Sequence, residues 1–170
     1  MADGSPVRAV HPLTYVDGAE LPIEATMAQG RSRPAWAEID LSAVTHNTRV
    51  LAGLAAPAEL CAVVKAHGYG HGGPAVARAA LAGGAGRLAV ALVDEGVELR
   101  EHGITGPVLL LSECGPDAVE TAIEFGLTPT LYSSSAIDAF AAGARAAGLV
   151  TTGRGRITVV DYPGLVRRAR

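Results

Sequence analysis

Residues 61–73 read CAVVKAHGYGHGG, and this stretch decides how the fold is interpreted. An apolar, β-branched run ends in Lys65, and a loop with four glycines follows it. Such a run predicts a strand that is buried on both faces, as in a parallel sheet. Because burying an ammonium group is costly, a lysine at the end of this strand needs either a partner or a chemical use.

The segments around this stretch alternate between strand patterns and helix patterns. Predicted strands lie at 36–41, 60–66, 87–93, 107–112, 127–132 and 157–160, and predicted helices lie at 42–55, 74–84, 94–103, 116–126 and 133–148. This alternation implies right-handed crossovers and a parallel sheet in an α/β protein. A doubly wound sheet suits a chain of 170 residues, whereas a (β/α)8 barrel typically needs about 250.

Composition and charge restrict the possible partners and the compartment. The chain is 49% hydrophobic and 18% charged, which indicates a globular protein, and its net charge of −3 argues against nucleic acid as a partner. Cys61 and Cys114 lie in separate apolar segments without metal-ligand spacing, as expected for reduced thiols. No stretch predicts a signal peptide or a membrane span. The chain is therefore expected to be cytoplasmic, with no membrane partner.

The two ends of the chain differ from its middle. Residues 1–33 show no sustained periodicity and are predicted to be a flexible leader, with Met27 as an alternative start to Met1. The remaining residues, 34–170, are predicted to form one domain, in which 150–170 are a divergent tail.

Lys65 is the candidate catalytic residue. It stands at the carboxyl end of its predicted strand, the edge where both architectures place their active sites. An amine in an apolar setting loses solvation of its charged form, so more free amine is available as a nucleophile that can form a Schiff base. The alternative is a lysine that extends into water without a chemical role.

The glycine loop also allows a different interpretation. Residues 68–73 match G-x-G-x-x-G between a strand and a helix, and Asp94 follows the next strand, about where a ribose-binding acid would lie. However, Lys65 has no role in that motif, and Pro74 removes an amide hydrogen at the helix N-terminus, where a pyrophosphate needs donors. A dinucleotide-binding module remains an alternative at this point.

Three other side chains of the loop carry chemistry. His67 and His71 are four residues apart but lie in a glycine loop without a clear carboxylate or cysteine companion, so no metal site is predicted. We expect His71 to hydrogen-bond across the loop instead. Tyr69 places a phenol beside Lys65, where it either contacts a cofactor or covers the core with its hydroxyl in water.

Several segments together resemble one known family. AVVKAHGYGHG (62–72) closely resembles the pyridoxal-phosphate lysine signature of bacterial alanine racemases. WAEIDLSAVTHN (36–47), RLAVALVDEGVELREHGI (87–104) and PVLLLSE (107–113) resemble the N-terminal half of that family, in the same order and spacing. The resemblance covers roughly residues 34–150. It implies the first half of a (β/α)8 barrel of the alanine racemase type, in place of the open sheet.

The resemblance also implies a function and roles for individual residues. The family interconverts L- and D-alanine for cell-wall synthesis, and Lys65 would carry pyridoxal phosphate as a Schiff base and act as one of two proton-transferring bases. Tyr69 would approach the cofactor phosphate, and Val63 and Leu111 would line the cofactor ring. Arg167 would correspond to an arginine that follows a later strand of the family.

The chain departs from the family pattern in three places. His67 and Gly68 replace an Asp or Asn followed by Ala, and Val159 replaces a lysine in a segment where the likeness has faded. The later barrel strands have no match, nor does the C-terminal β-domain that supplies the opposite-face tyrosine base across a homodimer. The chain is therefore expected to be truncated and to be weakly active or inactive alone. A non-catalytic pyridoxal-phosphate-binding protein is the second interpretation.

Overall fold

The computed structural model describes residues 13–16, 37–153 and 156–159. In chain order the elements are β1 (Leu13–Val16), β2 (Ala37–Asp40), α1 (Leu41–Ala55), β3 (Cys61–Val63), α2 (Gly73–Ala82), β4 (Arg87–Val90), α3 (Val93–Glu101), β5 (Val108–Leu110), α4 (Val119–Glu124), β6 (Leu127–Thr128), α5 (Ser134–Ala146), β7 (Val150–Gly153) and β8 (Arg156–Val159). A helical turn, Lys65–Tyr69, follows β3, and a 3-10 turn, Pro116–Ala118, precedes α4. The predicted alternation of strands and helices is confirmed from β2 to α5.

Strands β3, β4, β5 and β6 form one sheet in which every pair is parallel and neighbours follow chain order. A doubly wound sheet reverses its strand order at a switch point, whereas a barrel adds each new strand on the same side. Among these four strands the order does not reverse. The fold is therefore an α/β partial barrel, as the resemblance implied, and the open sheet favoured by chain length is wrong.

The two faces of this sheet differ in burial. The buried side chains of one face pack against the helices and include Leu88, Val90, Val108, Leu110 and Leu127. Each such side chain contributes about 1.5–3 kcal/mol when it is fully buried. The strand register aligns Val63, Ala89, Leu109 and Thr128 on the opposite face. The helices therefore cover one face, and Val63 belongs to the other.

Arg100, on α3, fixes the loops at the amino-terminal edge of the sheet. Its guanidinium donates to the carbonyl oxygens of Phe125 (2.9 Å), Ile104 (2.8 Å), Gly106 (2.8 Å) and Gly126 (3.2 Å). Burial lowers the pKa of this guanidinium from its ordinary value. Because Gly106 and Gly126 precede β5 and β6, this side chain stabilises the edge opposite to Lys65.

Two strand predictions require correction. The strand predicted at 127–132 ends at Thr128, because Pro129 has no N–H to donate to a neighbouring strand. The strand predicted at 157–160 exists as β8, but it pairs antiparallel with β7 and does not extend the parallel sheet. Only two residues separate Gly153 from Arg156, and a parallel pairing would need a crossover of a dozen residues or more.

The N-terminal region contains one strand that the sequence patterns did not indicate. Within the predicted leader, β1 pairs in parallel with β2, with Leu13 opposite Ala37. The rest of residues 1–33, including Met1 and Met27, lies outside the described residues. None of the described helices has both the length and the apolar character needed to cross a membrane.

Candidate functional site

Lys65 follows the end of β3 at the carboxyl-terminal edge of the sheet. The ladder continues one residue beyond β3, because the N–H of Val64 donates to the carbonyl oxygen of Ala89 (2.8 Å). Val64 is buried and Lys65 is half-buried. The 170-residue sequence contains no other lysine. A single side-chain amine therefore stands at the edge where barrels of this kind place their chemistry.

The backbone directly after Lys65 is left-handed. Ala66 (φ 51°, ψ 48°), His67 (φ 54°, ψ 47°) and Gly68 (φ 64°, ψ 40°) are followed by Tyr69 with φ 55°. An L-residue in this conformation costs about 1–2 kcal/mol, and three of these four residues are not glycine. The sequence predicted only a glycine loop here. Strain is thus concentrated beside the candidate lysine, as is frequent at functional sites.

Hydrogen bonds within the turn offset part of this strain. The backbone bonds run from the N–H of Gly68 to the oxygen of Val64 (2.9 Å), from Gly70 to Ala66 (3.0 Å) and from Gly72 to His67 (2.8 Å). Nδ1 of His71 lies 2.9 Å from the carbonyl oxygen of Gly68. The expectation that His71 hydrogen-bonds across the loop is therefore confirmed.

The Glu95 side chain, from α3, connects this turn to the neighbouring strand. Its Oε1 accepts from the N–H of Ala66 (2.6 Å), and its Oε2 accepts from the N–H groups of Ala91 (2.7 Å) and Leu92 (3.0 Å). A glutamate at the third position of a helix is a known capping signal, and it predicts the contact with the N–H of Leu92, the N-cap residue, but not the contact with Ala91. The contact with Ala66, 29 residues away, had no local signal and was missed.

His67 also has a partner that the sequence did not reveal. Its Nδ1 lies 3.3 Å from Oε1 of Glu98, with 52% of the histidine side chain and 37% of the glutamate side chain exposed. An exposed pair of this kind contributes about 0–1 kcal/mol. Within the described part of the chain, no group of three or more His, Cys, Asp or Glu side chains is arranged to hold a metal ion.

The other predicted cofactor contacts lie at the same edge of the sheet. Val63 ends β3 with 39% of its surface exposed, Leu111 follows β5 with 41% exposed, and Tyr69 is 58% exposed. Val63 aligns with Ala89 and Ala89 with Leu109, and Leu111 lies two residues beyond Leu109, so the backbones of Val63 and Leu111 are about 12 Å apart. Arg167 lies outside the described residues.

This set of groups fits pyridoxal phosphate. Lys65 would offer a primary amine to its aldehyde, and the exposed side chains of Val63, Leu111 and Tyr69 would offer apolar surface and a phenol.

The dinucleotide interpretation of residues 68–73 does not fit this backbone. That motif needs a loop that leads into a helix N-terminus at a switch point of the sheet. Here a left-handed turn follows β3, α2 begins at Gly73 with Pro74 in its first turn, and β3 to β6 run in sequence. Asp94 lies in the first turn of α3 and not at the end of a strand.

Comparison with known proteins agrees with this geometry. Residues 39–155 match a family model described as alanine racemase, N-terminal domain. Alanine racemase from Carboxydothermus hydrogenoformans is 50% identical over 100 residues, which are 59% of this chain and 27% of that protein.

Two solved structures are similar over the same region. Alanine racemase from Streptomyces coelicolor A3(2) has a TM-score of 0.59 at 38% identity, covering 65% of this chain and 30% of that one. Histidine racemase from Leuconostoc mesenteroides subsp. sake has a TM-score of 0.58 at 31% identity, covering 64% and 29%. The chain thus spans less than a third of the length of each of these three relatives. Because the matched residues include most of the described chain, from β2 to β7, this chain belongs to the alanine racemase family and lies within its N-terminal domain.

Proposed function

We propose that this chain supplies the catalytic, cofactor-binding lysine of a pyridoxal-phosphate-dependent alanine racemase, an isomerase that interconverts L- and D-alanine. The observation that carries the proposal is the position of the one lysine in the sequence. Lys65 stands half-buried at the carboxyl-terminal edge of a sequentially ordered parallel sheet, where barrels of this kind place catalytic groups.

Each residue at the edge has a defined task in this proposal. When bound, pyridoxal phosphate supplies the electron sink that stabilises the carbanion left when the α-proton of the substrate departs. Nζ of Lys65 holds the cofactor and, once released from it, accepts or returns that α-proton on one face of the substrate. Tyr69 donates its hydroxyl hydrogen to the phosphate, and Val63 and Leu111 exclude water from the ring. Arg167 remains a proposed cofactor contact.

The substrate and the assembly belong to the same proposal. Alanine is the substrate suggested by the names of most relatives, but one similar structure is a histidine racemase. L-Alanine is therefore to be compared directly with L-serine and L-histidine. A cytoplasmic homodimer is proposed by analogy with the family, and the net charge of −3 supports the exclusion of nucleic acid as a partner.

The first experiment tests cofactor capture. The purified protein is incubated with pyridoxal phosphate, reduced with borohydride to make the bond permanent, and digested for peptide mapping. Because the sequence has one lysine, a labelled amine is either Lys65 or the N-terminal amine. We expect a label at Lys65 that is absent in Lys65→Ala. A label confined to the N-terminal amine would overturn the proposal.

The second measurement separates catalysis from binding. Chiral chromatography follows the formation of D-alanine from L-alanine, and loss of that activity in Lys65→Ala supports a racemase. Because Lys65 alone can exchange the α-proton on one face, labelling of Lys65 with neither D-alanine nor exchange of the α-proton of L-alanine for solvent deuterium would favour the second candidate, a protein that holds pyridoxal phosphate without turnover. The exposed apolar side chains near Lys65 are compatible with either candidate.

A further inference from the structure

The peptide unit that joins Lys65 to Ala66 is held by the neighbouring strand region. The N–H of Ala66 belongs to this unit, and it donates to Oε1 of Glu95 at 2.6 Å. The orientation of this unit sets ψ of Lys65 and φ of Ala66. A carboxylate bound to it therefore controls the direction in which the chain leaves the lysine.

The backbone on the other side of Lys65 is attached to the same strand. The N–H of Val64 donates to the carbonyl oxygen of Ala89 on β4. Oε2 of Glu95 accepts from the N–H groups of Ala91 and Leu92, which follow β4. Lys65 is thus held between two attachments to one segment, residues 89–92, and only the second depends on a side chain.

The left-handed backbone makes the second attachment necessary. Ala66 is the first residue of the left-handed run, and alanine gains nothing from that conformation. Ala66 is exposed, so water could replace Glu95 as the acceptor, but a mobile water would not fix the direction of this N–H. A hydrogen bond to a carboxylate is stronger than one to a neutral acceptor, so Glu95 is suited to offset the strain.

We propose that Glu95 is a positioning residue for Lys65: it binds the Lys65–Ala66 peptide unit, and it thereby presents the Lys65 amine toward the edge of the sheet where the cofactor binds. This inference rests on the proposed function of Lys65. Glu95 itself touches neither cofactor nor substrate in this role. It acts on Lys65 only through its hydrogen bond with the backbone N–H of Ala66.

The same helix provides a matched control. Glu98 lies three residues further along α3 and contacts the same turn, but through the side chain of His67 and not through the backbone. Glu95→Gln and Glu98→Gln therefore remove the same charge from the same helix. In Glu95→Gln the side chain keeps one acceptor oxygen. Its NH2 group, however, is a donor and faces backbone N–H groups, which are donors as well.

The experiment measures how fast Lys65 is labelled. Wild type and the two variants are treated with pyridoxal phosphate, quenched with borohydride at increasing times and mapped, with the N-terminal amine as an internal reference. We expect Glu95→Gln to lower the labelling rate of Lys65 about tenfold, which corresponds to about 1.4 kcal/mol. Glu98→Gln should stay within about twofold of wild type. The N-terminal amine should react equally in all three proteins and serves to normalise the dose of reagent. Equal circular dichroism spectra and melting temperatures of wild type and variants exclude a general loss of structure as the cause of slow labelling.

Glu95→Asp keeps the test valid if Glu95→Gln does not fold. Aspartate retains a negative charge in the first turn of α3, which the helix dipole favours, but its side chain is one methylene shorter and is expected not to reach Ala66. We expect a folded protein with slow Lys65 labelling. Wild-type rates in Glu95→Asp or Glu95→Gln would overturn the role of Glu95 and leave the proposed function standing. An unlabelled Lys65 in the wild type would overturn both.

Discussion

Two glutamates at the carboxyl-terminal edge of the sheet make the same kind of contact in different backbone settings. Glu95 accepts from backbone N–H groups that follow β3 and β4. Glu113, which follows β5, accepts from the N–H groups of Tyr132 (2.8 Å) and Ser133 (2.9 Å) and from the Ser133 hydroxyl (2.7 Å). Each carboxylate therefore ties together two neighbouring loops.

The backbone that each carboxylate holds is what distinguishes them. Ser133 is an ordinary N-cap of α5 in the extended region, with φ −114° and ψ 150°. Ala66 is left-handed and follows a candidate catalytic lysine. Glu113 therefore binds an extended backbone that any residue adopts readily. Glu95 binds a left-handed backbone that alanine disfavours. The same kind of hydrogen bond stabilises the loop before α5 in the case of Glu113 and orients the backbone beside Lys65 in the case of Glu95.

The largest change in stability is expected when a methyl group is added to the left-handed turn after Lys65. Gly68→Ala places a Cβ at φ +64°, 3.4 Å from the backbone nitrogen of Gly73. We expect the free energy of unfolding to fall by about 1–2 kcal/mol, as measured by chemical denaturation, because alanine resists this conformation.

The control for that variant has the opposite expected sign. Gly53→Ala lies in α1, and its Cβ would meet no atom within 4 Å. Alanine is favoured over glycine in a helix interior, so this variant should raise the free energy of unfolding by up to about 1 kcal/mol. An unchanged or increased stability in Gly68→Ala would mean that the turn is not strained.

A smaller change in stability is expected when acid protonates the Glu113 carboxylate. Hydrogen bonds from the N–H of Tyr132 and from Ser133 hold the pKa of Glu113 below its ordinary value of 4.5. The stabilisation from this carboxylate is thus complete above pH 4.5 and is lost as the pH falls through the lower folded-state pKa. In Glu113→Gln, melting temperature should fall less steeply with acidification than in wild type.

The pH series needs a control for net charge. Glu120→Gln removes one charge from an exposed position on α4. If Glu120→Gln flattened the acid limb of the melting curve as much as Glu113→Gln, the loop contacts of Glu113 would not be the cause. The melting temperatures of all three proteins are measured between about pH 7 and pH 3, where carboxylates titrate.

The smallest effect should be the coupling between His67 and Glu98. A double-mutant cycle with His67→Ala and Glu98→Ala should give an interaction free energy below about 0.5 kcal/mol, because both side chains are substantially exposed. Denaturation of the four proteins measures it. A coupling above about 1 kcal/mol would make Glu98 a second anchor of the turn, and the contrast with Glu95 would no longer hold.

Much of the fold could be predicted from local patterns. Apolar runs bounded by Gly and Pro located β3, β4 and β5, and the terminal glycines located the ends of the helices between them. The order of elements and the place of Lys65 at the strand end followed from these. The local patterns did not predict which strands pair outside the parallel sheet. β8 pairs with β7 across a two-residue connection, and β1 pairs with β2, a segment 24 residues away.

The residues of the candidate site also divide into those that the sequence predicted and those that only the structure revealed. Lys65 and Tyr69 were named from the strand and loop pattern and Val63 and Leu111 from the family resemblance, and the structure puts all four at or near the same edge. No sequence pattern singled out Glu95 as a residue of the site. Every residue except proline carries the same backbone N–H, so no sequence pattern shows that Glu95 binds the N–H of Ala66.

The sequence by itself determined that one lysine ends an apolar strand before a glycine-rich segment, since strand propensity and turn chemistry are properties of neighbouring residues. Only the tertiary structure decided that the strands run in barrel order, that the backbone after Lys65 turns left-handed, and that a carboxylate from α3 holds it there. These features depend on the register between β3 and β4, which brings residues 29 apart into hydrogen-bonding distance. Register follows from turning the apolar face of both strands toward the same core, so it depends on two segments together and not on either one alone.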